Sequence, residues 1–202
     1  MPPPPPAVPG DATPARPQGA GRYLRELEVA VAAAREAGAL LAAEFAREGG
    51  PRGQDDKCPA DDEAEVLVRE RLLAAFPGHG FVAEEDRSQD RDPGHGGDGH
   101  AWVVDPNDGT KYFRQGLRGA SVSIGLLRDG EPVLGVVLAH TAPHGGEDLF
   151  TWAEGCGPPR RNGRPIPPAP PRAGLRPGDV VLTSPAAEAW PRENATLLAP
   201  GR

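Results

Sequence analysis

From Tyr23 to Glu48 the apolar residues Leu24, Leu27, Val31, Ala34, Gly38, Leu41 and Phe45 recur every three or four positions. That spacing puts them on one face of a long helix, which Gly49, Gly50 and Pro51 bring to an end. A second helix is predicted from Asp62 to Phe76. Asp62 would be its N-cap and Glu65 would hold the capping-box position, with Val68, Leu72 and Ala75 on the inner face and Pro77-Gly78 as the stop. Short apolar or alternating runs follow, bounded by turn residues: Phe81 to Ala83, Trp102 to Val104, Val122 to Leu127, Pro132 to Ala139, Leu149 to Ala153 and Val180 to Thr183. These predict strands. Asp129-Gly130 and Asn162-Gly163 have the composition of tight hairpin turns, so much of the sheet should be antiparallel. Two helices packed on a mainly antiparallel sheet make a layered α+β domain. Residues 86–100 and 156–178 show neither period and are expected to be Gly- and Pro-rich connections.

Composition adds a boundary to that picture. The 202 residues suffice for one domain with a real core, but 26 prolines and 27 glycines exceed ordinary usage, so part of the chain should not fold. Residues 1–20 are the expected tail, because they carry too few large apolar side chains to offset the entropy of ordering. A net charge of −7 argues against a nucleic-acid surface and suits a protein that gathers carboxylates around a divalent cation. The first residues lack the basic start and apolar core of a secretory signal, and no run approaches membrane-spanning length. A cytoplasmic protein away from membranes is therefore expected. Cys58 and Cys156 are far apart and show no Cys-x-x-Cys spacing, which favours free thiols.

The candidate chemistry sits at the end of the strand predicted at Trp102 to Val104. Asp105 leaves that strand, Pro106 stiffens a turn, and Asp108 comes round so that two hard-oxygen carboxylates can meet on Mg²⁺. Gly109 and Thr110 then offer backbone N–H groups at an expected helix start, where a phosphate oxygen is favoured. Glu84 ends a strand expected to neighbour that of Asp105, which would bring a third carboxylate to the same sheet edge. Glu85, pointing to the opposite face, is expected to be solvated. Taken alone, Asp105 to Gly109 also has the composition of an ordinary surface turn. The histidines point elsewhere: His95 and His100 lie in the glycine-rich loop, and Pro143 between His140 and His144 argues against a shared metal-binding face.

The run Asp105-Pro106-Asn107-Asp108-Gly109-Thr110 resembles the D-P-x-D-G-T hallmark of the inositol monophosphatase-like superfamily of Mg²⁺-dependent phosphatases. Gly80 to Asp86 is similar to the family's strand ending in an acidic pair. Ala120 to Gly125 and Val133 to Val137 are similar to its next two strands, and the likeness runs from about Tyr23 to about Ser184. The resemblance implies that Glu84, Asp105 and Asp108 ligate metal, with Asn107 adding its backbone carbonyl. It also implies that Thr110 orients the attacking water with help from Asp61, and that Gly109 and Thr110 meet the substrate phosphate. Asp61 has a second reading as a helix cap, alongside Asp62. Lys57 is read as a solvated loop lysine in preference to a phosphate contact, and Lys111 as either a phosphate contact or a solvated lysine.

Three organisational expectations follow. Residues 1–20 form the tail, 21–185 the phosphatase-like domain, and 186–202 the truncated start of a C-terminal domain that the resemblance implies but that nothing after Ser184 resembles. The expected activity is hydrolysis of a small phosphate monoester, an inositol phosphate or similar, by metal-activated water. Gly109-Thr110-Lys111 with Phe113 resembles the branches acting on 3′-phosphoadenosine 5′-phosphate or histidinol phosphate, which gives one alternative. The other is a non-catalytic remnant that binds metal or a partner. The expected partner is a small phosphorylated metabolite, and a homodimer is an expected assembly.

Overall fold

The longest apolar stripe of the chain becomes its longest helix, α1, Leu24–Phe45. Its buried face consists of Ala30, Ala33, Ala34, Ala37, Gly38 and Leu41, mostly small residues that let the helix axis come close to what it covers. Leu24, expected on that face, is 50% exposed, and Tyr23, at 2%, takes the buried place at this end. The computed structural model describes residues 21–54, 57–84, 96–142 and 146–168. The elements considered below all belong to a compact unit that ends at Ile166. The expected tail 1–20, Glu85, His95, Pro143, His144, the strand expected at Val180 to Thr183 and the segment 186–202 lie outside the described residues.

Helix α2, Pro59–Ala75, starts three residues before the predicted N-cap. Pro59 causes the shift. Proline needs no N–H donor at a helix start, and it holds the preceding Cys58 in an extended conformation, φ −127° and ψ 120°. Asp62 is thus inside the first turn and caps nothing. Glu65 is not a capping-box partner either; it pairs with Arg69 one turn on at 2.8 Å.

The sheet contains β1 (Gly80–Ala83), β2 (His100–Asp108), β3 (Ser121–Arg128), β4 (Glu131–Ala139), β5 (Asp148–Ala153), β6 (Arg160–Arg161) and β7 (Arg164–Pro165), in spatial order β1 to β7. β1 and β2 are parallel, and every other neighbouring pair is antiparallel. Asp129-Gly130 (φ 51° and 85°) and Asn162-Gly163 (φ 49° and 76°) make the expected hairpin turns, each holding two successive residues at positive φ. The β6–β7 hairpin corrects the expectation that 156–178 is irregular, because two-residue strands are too short to show a period.

Helices α1 and α2 pack together on one face of the sheet, α1 over β3 to β5 and α2 over β1 and β2. Trp102, Val104, Val122, Ile124, Leu126, Val136 and Leu138, each at most 2% exposed, fill the layer between. On the opposite face Val103 and Val137 are each 40% exposed. They border an apolar groove of about 660 Å³ whose lining also includes Glu84 and Asp105. The α+β expectation therefore holds, with a third short helix, α3 (Thr110–Arg114), added at the end of β2.

Candidate active site

Strand register brings the acidic residues together. β1 and β2 run in parallel with Ala83 beside Val104, and the Glu84 amide donates to the Val104 carbonyl at 3.2 Å. Glu84 and Asp105 consequently leave adjacent strands at the same edge, one strand spacing apart. Between β2 and β3 the register then slips: Asp105 pairs with Ser123, but Asp108 pairs with Ser121, so three steps on β2 match two on β3. This is a bulge at Pro106-Asn107, and it replaces the turn expected after Asp105. Proline cannot donate to the ladder, and the Asn107 amide turns back to Asp105 Oδ1 at 3.0 Å. The ladder resumes at Asp108, which is exposed.

The bulge drives the Asn107 side chain inward, where it is 1% exposed. Its Nδ2 donates to Asp61 Oδ1 at 2.8 Å. Asp61 lies in the first turn of α2, is 2% exposed, and receives the Thr110 hydroxyl on Oδ2 at 2.9 Å. The cap reading of Asp61 therefore fails; its carboxylate leaves its own helix end and joins Asn107 and Thr110. Thr110 Oγ1 is also 3.0 Å from the Asn107 carbonyl. Gly109 precedes α3 with φ 100°, a backbone conformation in which a side chain is strained.

Electrostatics distinguish the two halves of this arrangement. Burial first, then the charge of Glu84, a shared hydrogen bond with Glu84 and the charge of Asp108 push the Asp105 carboxyl up to about 7, against a downward pull from the Asn107 amide. Two carboxylates this close need a proton or a cation between them. Glu84, Asp105 and Asp108 supply hard oxygen donors, and the Asn107 carbonyl adds a neutral one, a set suited to a divalent cation such as Mg²⁺. On the neighbouring side, Asp61, Asn107 and Thr110 form a buried hydrogen-bonded group joined to the first through the Asn107–Asp105 contact.

The sequence reading missed His140. It follows β4, is 6% exposed, and sits with Nε2 3.2 Å from Asn107 Oδ1 and its ring edge-on to Phe113 at 5.6 Å between centroids. Burial pushes its imidazole down to about 4. The available signal was strand parity: Leu134, Val136 and Leu138 point inward, and the next residue in that phase is a histidine. Lys57 and Lys111 are exposed, and Lys57 bridges to Gln54.

A second acid–imidazole group, His79, Asp98 and His100, stands where β1 and β2 begin, away from Glu84 and Asp105. Asp98 is 3.3 Å from His79 Nε2 and 3.4 Å from His100 Nδ1. The two rings stack at 4.9 Å with 20° between their planes. Imidazoles bind metals through lone pairs in the ring plane, and those of stacked rings run side by side. As arranged, this group is a packed polar corner, with Tyr23 holding His100 Nε2 at 3.2 Å.

The sequence profile of the inositol monophosphatase family matches residues 24–174. An inositol-1-monophosphatase of Rhizobium meliloti is 38% identical over 48% of this chain and 34% of its own length. Inositol monophosphatase 2 of Solanum lycopersicum is 36% identical over 65% of this chain and 49% of its own. The chain thus spans about half or less of the length of these relatives. Among solved structures, the extragenic suppressor protein suhB of Bartonella henselae is similar at 28% identity and a TM-score of 0.60, over 75% of this chain and 55% of that one.

Proposed function

Because the chain belongs to the inositol monophosphatase family, we propose that it serves in the Mg²⁺-dependent hydrolysis of a small phosphate monoester, an inositol phosphate or a similar metabolite. The observation that carries this reading is the meeting of Glu84 and Asp105 at one edge of the parallel β1–β2 pair, where burial and the Glu84 charge push the Asp105 carboxyl up to about 7. Glu84, Asp105, Asp108 and the Asn107 carbonyl would hold the metal. When bound, it supplies positive charge to the phosphoryl oxygens and a more acidic water.

The chain's own residues orient the nucleophile. Asp61 draws the Thr110 hydroxyl hydrogen toward Oδ2, which leaves a Thr110 lone pair to accept a hydrogen from the attacking water. The backbone at Gly109 and Thr110 opens α3 next to this hydroxyl and is read as the contact for phosphate oxygens. A phosphoryl transition state needs positioning and positive charge more than a covalent protein intermediate, and no nucleophilic side chain is assigned.

Among the described residues no helix is long and apolar enough to cross a membrane. Cys58 and Cys156 are free thiols, and on that basis we read the compartment as reducing and the protein as cytoplasmic.

The test is phosphate release from inositol monophosphate, 3′-phosphoadenosine 5′-phosphate and histidinol phosphate, with Mg²⁺ or chelator, beside Asp105→Asn. The expected result is Mg²⁺-dependent release from at least one substrate, reduced by about 10²–10³-fold in the variant, the scale for one lost electrostatic anchor. Release indifferent to chelator and to Asp105→Asn would refute the proposed metal site. Metal binding without release from any substrate would leave a metal-binding remnant.

A further inference from the structure

The hydrolytic reading gives roles to Asp61, Asn107 and Thr110 and leaves His140 without one. Its hydrogen-bonding state follows from its neighbours. Both Asp61 oxygens accept in the structure, Oδ1 from Asn107 Nδ2 and Oδ2 from the Thr110 hydroxyl, so the amide of Asn107 turns its NH₂ to Asp61 and its Oδ1 to His140. A carbonyl oxygen there calls for a donor. The neutral imidazole therefore carries its hydrogen on Nε2, which leaves Nδ1 buried with no hydrogen-bond partner among the described residues.

That arrangement is a costly way to fill space. A leucine would occupy a similar volume without burying an unpartnered ring nitrogen. What the imidazole adds is one donor aimed at Asn107. The ring is also backed firmly, since a Cβ placed on Gly38 of α1 would lie 3.2 Å from His140 Cβ. Phe113 meets the ring edge from α3. Gly38 and Phe113 offer the ring only apolar contact, and among the described residues its polar partner is Asn107.

We propose that His140 is a positioning residue, which acts through Asn107 to fix the rotation of the Asp61 carboxylate against the Thr110 hydroxyl. The chain of donors runs from His140 Nε2–H to Asn107 Oδ1 and from Asn107 Nδ2–H to Asp61 Oδ1, while Thr110 Oγ1–H donates to Asp61 Oδ2. Both oxygens of Asp61 are then engaged, and the carboxylate is held in one rotation. Without the imidazole the buried Asn107 oxygen loses its donor. Its amide gains by swinging toward another partner, and its N–H leaves Asp61. The effect on catalysis rests on the hydrolytic reading of Asp61 and Thr110, whereas the link from His140 to Asp61 does not.

The experiment has two arms. In the first, nitrogen NMR of ¹⁵N-histidine-labelled chain at neutral pH reads which ring nitrogen of His140 is protonated. Nε2–H is expected in the parent, with a mixture of tautomers in Asn107→Leu; a parent ring protonated on Nδ1 alone would overturn the proposal whether or not the chain is active. In the second, kcat and KM are compared for His140→Leu, His140→Gln, Asn107→Leu and the double leucine variant. His140→Leu should lower kcat by about 10- to 100-fold, the usual loss for a supporting-shell partner, with KM unchanged. His140→Gln, whose amide can donate to Asn107, should recover most of that loss, and the double variant should be no slower than Asn107→Leu alone. Equal kcat for the parent, His140→Leu and His140→Gln would overturn the proposal. If the parent releases no phosphate from any substrate, the hydrolytic reading fails, and the tautomer and its dependence on Asn107 still decide whether His140 braces Asp61.

Discussion

Asp105 and His140 are both perturbed by burial, and their effects on stability run in opposite directions with pH. Asp105 is pushed from 3.8 to about 7, so between those values the folded chain holds a proton that the unfolded chain lacks. Its contribution is therefore lost as pH rises through that window. His140 is pushed from 6.5 to about 4, so there the unfolded chain holds the extra proton, and stability is lost as pH falls through that window. The parent chain in chelator should show these two slopes largely opposed. Relative to the parent, Asp105→Asn should gain stability from pH 4 to 7, and His140→Leu should gain it from pH 6.5 down to 4. The gain should be on the order of 3 kcal/mol for buried His140 and smaller for half-buried Asp105, whose charge is partly screened by solvent. Thermal melts of all three across that range decide the point, and differences from the parent that change in the same direction with pH in both variants would refute the assignment. The same two residues show what was legible in the chain. Asp105 stands in a short motif whose residue types suit a hard cation, although taken alone they suit a surface turn as well. His140 has no motif, and only the inward phase of β4 marks it. Asp61 was ambiguous because a carboxylate near a helix start is favoured whether it caps or reaches away. Its direction depends on Pro59 having started α2 earlier.

Elements were most legible where one period persists, as in α1, β3 and β4, and where a dipeptide dictates a turn, as at Asp129-Gly130. The bulge in β2 was not, because its cause is a register difference between two strands and not a feature of either one. Yet that bulge is what turns Asn107 inward. Gly38 makes a related point about packing. In an isolated helix Gly38→Ala would add roughly 1 kcal/mol of stability. Here the new Cβ would lie 2.7 Å from Leu138 Cδ2 and 3.2 Å from His140 Cβ, on a face where Leu138 is 1% exposed. Overpacking of this kind costs about 1–3 kcal/mol, so the sign should reverse. Gly38→Ala is expected to melt below the parent and, by displacing His140, to slow phosphate release. A higher melting temperature would show that α1 can move off the sheet without strain. As a control, Ala39→Gly, on the exposed side of the same helix, should cost only the propensity difference of roughly 1 kcal/mol.

Across the whole molecule, the proposed metal site would make folding, proton binding and metal binding at the carboxylate edge one linked equilibrium. The net charge of −7 already opposes compaction, and at pH 7.5 the Glu84–Asp105 edge adds a local repulsion that the fold must carry when no cation is present. A ligand that binds only the folded chain stabilises it by mass action, about 2.7 kcal/mol at a hundred times its dissociation constant. For a chain of this size that is roughly 5–10 °C in melting temperature. Mg²⁺ should therefore raise the melting temperature clearly at pH 7.5. At pH 5 a proton occupies the same edge, the metal must displace it, and the rise should shrink. Binding at pH 6 to 7 should accordingly release protons, which calorimetry in buffers of different ionisation enthalpy can count. Asp105→Asn should abolish most of the Mg²⁺ effect while raising the melting temperature of the metal-free chain at pH 7.5, because the amide removes the repulsion along with the ligand. A Mg²⁺-induced rise of equal size at pH 5 and 7.5, or one that survives Asp105→Asn, would place the cation somewhere other than between β1 and β2.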